Sequence, residues 1–128
     1  MGKGGRILHK ALIIISHGSR SRDAADAFNQ IVQLVREKGY FDQVTGASME
    51  HNKPDIPEAV AQVTAAGAKE IVFAPYFLYE GMHIKEDIPQ ILNEVFANYP
   101  GVTYKLARPI GVEPILADIL LDRALAAE

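Results

Sequence analysis

The sequence predicts a single α/β domain with a four-stranded parallel sheet and helices on both faces. Four times along the chain, an apolar run is followed by a stretch whose apolar residues recur at helical spacing. The first run, Ala11–Ile15, is continuously apolar, which is typical of a strand covered on both faces. Strands that alternate with helices in this way generally form a parallel sheet, because each helix carries the chain back to the start of the next strand.

The first half of the chain contains two of these strand–helix units. The first strand is followed by the turn His17–Arg20 and by a predicted helix over Arg22–Lys38. Gly39 follows this helix and is a natural C-terminal stop. The second strand, Gln43–Met49, is less apolar, and its helix is predicted from Ile56 to Ala66.

The second half repeats the pattern, with a longer loop inside the third unit. This loop carries Glu80, Gly81 and His83. No linker or low-complexity segment interrupts the sequence, so residues 11–128 are predicted to be one domain behind a flexible leader of residues 1–10. The remaining elements are predicted as a strand over Glu70–Phe77, a helix over Ile88–Tyr99, a strand over Val102–Ala107 and a closing helix over Glu113–Ala126.

Composition narrows the class of protein. A length of 128 residues with 48% hydrophobic and 23% charged residues is ordinary for one globular domain. The net charge of -3 argues against a general nucleic-acid binder, which needs a basic surface. Cysteine is absent, which removes disulfides and thiol chemistry. The apolar runs are too short for a signal-peptide core or a bilayer span. We therefore expect a cytoplasmic protein that binds neither nucleic acid nor membrane.

Ligands of parallel α/β sheets bind at the carboxyl ends of the strands, and polar residues follow all four predicted strands there. His9 lies at the opposite end. Imidazole nitrogen suits cobalt, nickel, zinc and iron, and a carboxylate can ligate such ions or accept a proton. The spacing alone does not distinguish a metal site from histidines that merely form hydrogen bonds. The residues in question are His17, then Glu50 and His51, then Tyr79, Glu80 and His83, and finally Arg108.

Two further features of these loops bear on ligand binding. The turn Gly18–Arg20 leads into a helix N-terminus, where free N–H groups favour anions. Pro75–Tyr79 is an aromatic and apolar segment that either belongs to the core or forms one wall of a flat cleft. The basic residues of the loops either hold an acidic ligand or are simply solvated; they are Arg20, Arg22, Lys53, Lys85 and Arg108.

Three segments together resemble the class II tetrapyrrole chelatases, and in particular the small single-domain sirohydrochlorin cobaltochelatases of the CbiX type. These segments are Ser16–Arg20, Met49–Glu50 and the long stretch Pro75–Pro89, which reads PYFLYEGMHIKEDIP. The resemblance runs from about Ala11 to Leu121. It implies a chelatase-like (flavodoxin-like) fold, and ATP-independent insertion of a divalent metal, foremost Co²⁺, into sirohydrochlorin during cobalamin biosynthesis. It also implies a homodimer in which two subunits border a shared cavity.

The resemblance also implies roles for individual residues. His17 and His83 would bind the metal, and Glu50 would act beside them as the third catalytic residue. Substrate-binding roles would fall on Ser19, Arg20, Tyr79, Gly81 and Lys85. No cofactor is expected beyond the metal substrate. His51 is a departure from the pattern; strand alternation would point it away from Glu50, so it is interpreted as a surface residue.

Three alternatives stay open at this point. The same reaction could use nickel or iron, since imidazole accepts all three ions. The chain could carry metal or tetrapyrrole without catalysis. A third possibility is phosphoryl transfer with His17 as nucleophile and Arg20 as phosphate clamp, although this would leave Glu50 and the aromatic segment without a role.

Overall fold

The computed structural model describes residues 7–128, with the backbone alone at positions 7, 8, 82 and 83. Strands and helices alternate strictly along this part of the chain, as the sequence predicts. The elements are β1 (Ile7–Ser16), α1 (Arg22–Glu37), β2 (Phe41–Ser48), α2 (Ile56–Ala65), β3 (Glu70–Pro75), α3 (Met82–Phe96), β4 (Thr103–Leu106) and α4 (Pro114–Ala126).

The four strands form one parallel sheet in the order β2-β1-β3-β4. All strands run in the same direction, but β2 is added on one side of β1 and β3 on the other, so the order of the strands reverses at β1. In open sheets of this kind, the crevice at such a reversal is where ligands bind. The predicted fold class is confirmed, and the topology places the candidate crevice at the ends of β1 and β3.

Helices pack on both faces of the sheet and form two separate cores. One face is covered by α2 and α3, whose apolar side chains surround the fully buried Phe73 of β3. The opposite face is covered by α1 through Phe28, Val32 and Val35. Among the described residues, neither core includes a side chain of α4.

The second core depends on a glycine in β2. A Cβ atom on Gly46 would lie 2.7 Å from the ring of Phe28 and 3.1 Å from Val32, both on α1. Both distances are closer than packed carbon atoms normally approach. Gly46 therefore allows α1 to lie directly on the sheet beside the ends of β1 and β2.

Two predicted boundaries are wrong by four residues or more. β1 begins at Ile7, so that four residues of the predicted leader belong to the sheet, while the rest of the leader, 1–6, lies outside the described residues. The register shifts between Ile7 and Ala11, where His9 has a positive φ of 59°. The start of β1 was not predicted because residues 7–10 include His9 and Lys10 and do not form a continuous apolar run.

The second wrong boundary is the start of α3, which begins at Met82 rather than Ile88. Gly81 precedes the helix in an extended conformation and acts as its N-cap, a position where glycine is well tolerated. The expected loop is therefore shorter, and both His83 and Lys85 belong to the helix. Along residues 7–128, every helix is too short or too polar to cross a bilayer.

Candidate active site at the carboxyl ends of the strands

Hydrogen bonding between β1 and β2 continues past the ends of both strands. The N–H of Met49 donates to the carbonyl of Ser16 over 3.0 Å, and the N–H of Glu50 donates to the carbonyl of His17 over 3.1 Å. These two bonds hold Glu50 directly beside His17, although the two residues are far apart in sequence. The backbone thereby positions the first two predicted site residues together.

Gly18 allows this close approach. Its φ is +98°, and a Cβ atom there would overlap the carbonyl oxygen of Glu50 and come within 2.8 Å of the carbonyl carbon. Only glycine combines this backbone conformation with the absence of a side chain. The glycine of the turn is therefore needed for the site's geometry.

The side chains of His17 and Glu50 meet at this edge of the sheet. His17 Nε2 lies 3.1 Å from Glu50 Oε1, and the two side chains are 62% and 54% exposed. When one imidazole nitrogen faces a carboxylate, the other nitrogen is oriented to act as a ligand. The pair therefore offers a nitrogen donor and an adjacent proton acceptor, both accessible from solvent.

His51 also approaches the same carboxylate, contrary to prediction. Its Nε2 lies 3.5 Å from Glu50 Oε1, and its side chain is only 32% exposed. The expectation that it points away assumed strand alternation, but His51 lies beyond β2 with a φ of +71°. This left-handed conformation turns its side chain back toward Glu50, which thus lies between two imidazoles.

His83 is the second residue of α3, at the carboxyl end of β3, and its side chain lies outside the described part of the structure. The neighbouring candidates occupy the same region. Tyr79 is exposed, and Gly81 accepts the backbone N–H of Lys85. The Lys85 ammonium lies 3.4 Å from the Glu80 carboxylate. The predicted residues of this segment therefore gather at the start of α3.

The turn after β1 is fixed by a residue that sequence reasoning missed. The N–H of Ser19 donates to Asn52 Oδ1 over 2.7 Å, and the Ser19 hydroxyl accepts the N–H of Ser21, the N-cap of α1. Arg20 is exposed beside them. Asn52 carried no distinguishing signal, because asparagine is common in any loop. Its side chain nevertheless ties the turn after β1 to the loop after β2.

Two open cavities flank the aromatic segment that follows β3. The first, of about 370 Å³, lies between α1 and the strand ends and includes His17 and Ser19 in its wall. The second, of about 350 Å³, runs along the segment toward α3. Tyr76 and Phe77 border both cavities. Phe77 also packs against the core around Phe73, so the segment has features of both interpretations that the sequence left open.

Within the described side chains, no three acidic or histidine groups are arranged to hold a metal ion. His17 and Glu50 form a two-residue cluster to which His51 adds a more distant imidazole. A closed structural metal centre normally has four ligands, and the His17–Glu50 pair supplies two donor groups, with the side chain of His83 outside the described part of the structure.

The fold and this cluster define a doubly wound α/β domain with an imidazole–carboxylate pair at its topological switch point. The CbiX family matches residues 11–127, and the chain belongs to that family.

Two sirohydrochlorin chelatases are similar in sequence to this chain over most of its length. The sirohydrochlorin cobaltochelatase of Methanococcus aeolicus is 32% identical over 139 residues, which covers 90% of this chain and 97% of the relative. The chloroplastic sirohydrochlorin ferrochelatase of Arabidopsis thaliana is 33% identical over 112 residues, which covers 88% of this chain. The chain spans only 50% of that plant protein's length.

A solved structure shows the same architecture. The sirohydrochlorin chelatase SirB of Bacillus subtilis subspecies spizizenii, in complex with cobalt, superimposes with a TM-score of 0.86 at 22% identity. The match covers 91% of this chain and 50% of SirB. At this identity, the likeness establishes the fold.

Proposed function

We propose that this chain inserts a divalent metal ion, foremost Co²⁺, into sirohydrochlorin without ATP, in cobalamin biosynthesis. The observation that carries the proposal is the 3.1 Å pairing of His17 with Glu50 at the switch point of a CbiX-family domain. The name of the Methanococcus aeolicus relative supports cobalt, whereas that of the plant relative supports iron as the alternative metal.

The reaction exchanges two pyrrole N–H protons for one metal ion. His17 would hold the incoming ion through the nitrogen that does not face Glu50, and His83 would supply the second nitrogen ligand. Glu50, which is exposed to solvent, would accept the two protons one at a time as they leave the macrocycle and pass each to water. Because the side chains of His17 and Glu50 are both more than half exposed, an ion held there would stay accessible to the four pyrrole nitrogens that receive it.

The substrate is large, flat and acidic, and the surroundings of the site suit it. The aromatic segment supplies an apolar wall against which a macrocycle can lie. Basic and polar groups at its edges would hold the carboxylate arms. The residues assigned to this role are Ser19, Arg20, Tyr79, Gly81 and Lys85.

The proposal also covers the working form of the protein. One domain leaves the strand ends open, so a second subunit facing the same cavity would enclose the macrocycle, and we therefore include a homodimer. We place the reaction in the cytoplasm, with which a cysteine-free chain is compatible.

A spectroscopic assay tests the activity. Sirohydrochlorin is mixed with Co²⁺, Ni²⁺ or Fe²⁺ in separate anaerobic reactions, and the change in its absorption is followed with and without protein. We expect acceleration that is greatest with Co²⁺. His17→Ala, Glu50→Gln and His83→Ala should each reduce the rate by about 10²-fold or more. His9→Asn, at the opposite end of the sheet, is the matched histidine control and should leave the rate unchanged.

The same assay separates the competing functions. Metal binding without acceleration above the spontaneous rate would identify a carrier and refute the enzyme. A rate that survives both histidine substitutions would show that the site is wrongly assigned. Greater acceleration with Ni²⁺ or Fe²⁺ than with Co²⁺ would support a chelatase but show that its metal is not cobalt.

A further inference from the structure

We propose that the cavity between α1 and the strand ends binds one carboxylate arm of the tetrapyrrole, through hydrogen-bond donors of Ser16, Ser48 and Asn52. We call this space, of about 370 Å³, the arm cavity. The inference rests on the proposed function and deepens it, because these three residues lie outside the set assigned to the substrate above. They determine which macrocycles the site accepts.

The arm cavity lies beside the residues proposed to act on the metal. His17 forms part of its wall, and its volume is in the range of small-molecule sites. Tyr76 and Phe77 border this cavity and also the second cavity, which runs along the aromatic segment. A macrocycle that lies against that segment can therefore direct one of its arms into the arm cavity while it stays next to His17.

A pair of hydroxyl groups lines the arm cavity on the side of the sheet. Ser16 Oγ lies 3.0 Å from Ser48 Oγ, and Ser48 is only 4% exposed. Two hydroxyls carry two protons, and the contact between them uses one. Within residues 7–128, neither hydroxyl has a second hydrogen-bond partner. One O–H therefore remains available to donate to a group that enters the cavity.

Asn52 supplies a second kind of donor. Its Oδ1 already accepts the N–H of Ser19 over 2.7 Å, which assigns the other end of the amide as NH₂. This NH₂ group has no partner in the part of the chain that the structure describes. Because Asn52 lines the arm cavity with its oxygen engaged, the group it can offer to a ligand is an N–H donor.

The charged residues around the arm cavity favour an acidic ligand. None of the described residues that line it is acidic, and Lys53 lines it. The Lys53 ammonium lies 3.3 Å from Glu58 and 3.7 Å from Asp55, so its charge is already largely balanced. Recognition then depends mainly on neutral donors. Such a site suits a singly charged carboxylate, whereas phosphate is normally held by arginine or lysine.

These donors make the arm cavity selective for the chemistry of the arm. A carboxylate accepts hydrogen bonds from the hydroxyl pair and from the Asn52 amide at the same time. A methyl group in the same place would displace water and leave those donors unpaired, and sites built around hydrogen bonds discriminate strongly against such analogues. The cavity therefore selects macrocycles that keep a carboxylate at this position over those in which it has been removed.

The first test measures the affinity for metal-free sirohydrochlorin from its fluorescence, so that neither metal nor turnover is involved. Asn52→Asp keeps an oxygen that can accept the Ser19 N–H, but it replaces the NH₂ donors with a negative charge. We expect Kd to rise about tenfold or more. Asn98→Asp is the matched control, because it adds the same charge beyond the end of α3, at the opposite end of the sheet. Its Kd should not change.

A neutral variant separates direct contact from general repulsion. Ser16→Ala combined with Ser48→Ala removes both members of the hydroxyl pair, so that no buried hydroxyl loses its partner and stability should change little. Kd should again rise about tenfold. Thr45→Val is the matched control. Thr45 alternates with Gly46 along β2 and so points to the other face of the sheet. This control should bind like the unmodified chain.

Nuclear magnetic resonance with acetate supplies a readout that does not depend on the tetrapyrrole. We expect acetate, and not acetamide at the same concentration, to shift the backbone amide of Ser48 and the side-chain amide of Asn52. Equal shifts with both compounds would overturn the proposal, because the cavity would not select a carboxylate. Unchanged Kd in both Asn52→Asp and the double serine variant would also overturn it. Selective acetate binding by a chain that inserts no metal would refute the chelatase and leave the carboxylate subsite intact.

Discussion

Replacing Gly18 with alanine tests whether this residue sets the distance between His17 and Glu50. The substitution forces a side chain into a backbone conformation with φ of +98°, which costs about 1–3 kcal/mol. The new Cβ would also overlap the Glu50 carbonyl oxygen. Relief requires the loop after β2 to move away, which adds about 1–3 kcal/mol, as for other overpacked sites.

Gly67→Ala separates these two contributions. Gly67 has a similar φ of +107°, but a Cβ there would meet no atom within 4 Å. It should therefore show the backbone strain alone. In urea denaturation, the midpoint of Gly18→Ala should lie about 1 M below that of Gly67→Ala, given a typical slope for a small domain.

Activity provides the second readout for the same pair of variants. Moving Glu50 away from His17 should reduce the rate of metal insertion by about tenfold or more, because small displacements of catalytic groups have effects of this size. Gly67→Ala should retain full activity. If both variants lose the same stability and Gly18→Ala keeps its activity, the steric argument is wrong.

Three further substitutions test other parts of the structure. Gly46→Ala places a methyl group 2.7 Å from the Phe28 ring and should cost about 1–3 kcal/mol, measured by urea denaturation. Because Gly46 and Phe28 both line the cavity between α1 and the strand ends, the substitution should also raise KM if the macrocycle enters that cavity. His51→Asn keeps a residue that tolerates positive φ but removes the imidazole 3.5 Å from Glu50. Because this contact is partly exposed, the insertion rate should fall by about fivefold or less. Asp55→Ala removes the capping box of α2 and should lower the free energy of unfolding by about 1 kcal/mol, with little change in rate.

For each of these three substitutions, a specific result would contradict the prediction. An unchanged KM in Gly46→Ala would show that the substrate does not bind in the cavity between α1 and the strand ends. A loss in His51→Asn as large as that in Glu50→Gln would make His51 part of the essential machinery. A large loss of activity in Asp55→Ala would mean that the loop before α2 reaches the substrate.

The fold was predictable because its main signals are local. The run Ala11–Ile15 is buried throughout, and the alternation of strands with helices leaves few possible topologies. The predicted element boundaries were wrong where local signals conflict. β1 contains a residue of positive φ near its start, and α3 contains Pro89 seven residues after its first residue. Proline favours the first turn of a helix, yet α3 extends about two turns before Pro89.

The site was predictable in position but not in detail. The rule that ligands bind at strand ends selects His17 and Glu50, and the structure places them together. The orientation of His51 depends on a single backbone angle, and the role of Asn52 depends on a hydrogen bond across two loops. Neither is encoded by residue type or spacing, because both arise only once β1 and β2 are paired.

The exposure of the His17–Glu50 pair is itself informative about what the pair does. A contact between polar side chains that are more than half exposed contributes at most about 1 kcal/mol. It therefore adds little to the stability of the fold, and Glu50 can turn away from His17 at small cost. In the proposed reaction, His17 would hold the ion through its other nitrogen, and Glu50 would be free to turn toward the macrocycle and accept a proton. The same weak contact that matters little for folding thus leaves the carboxylate mobile enough for the role proposed for it.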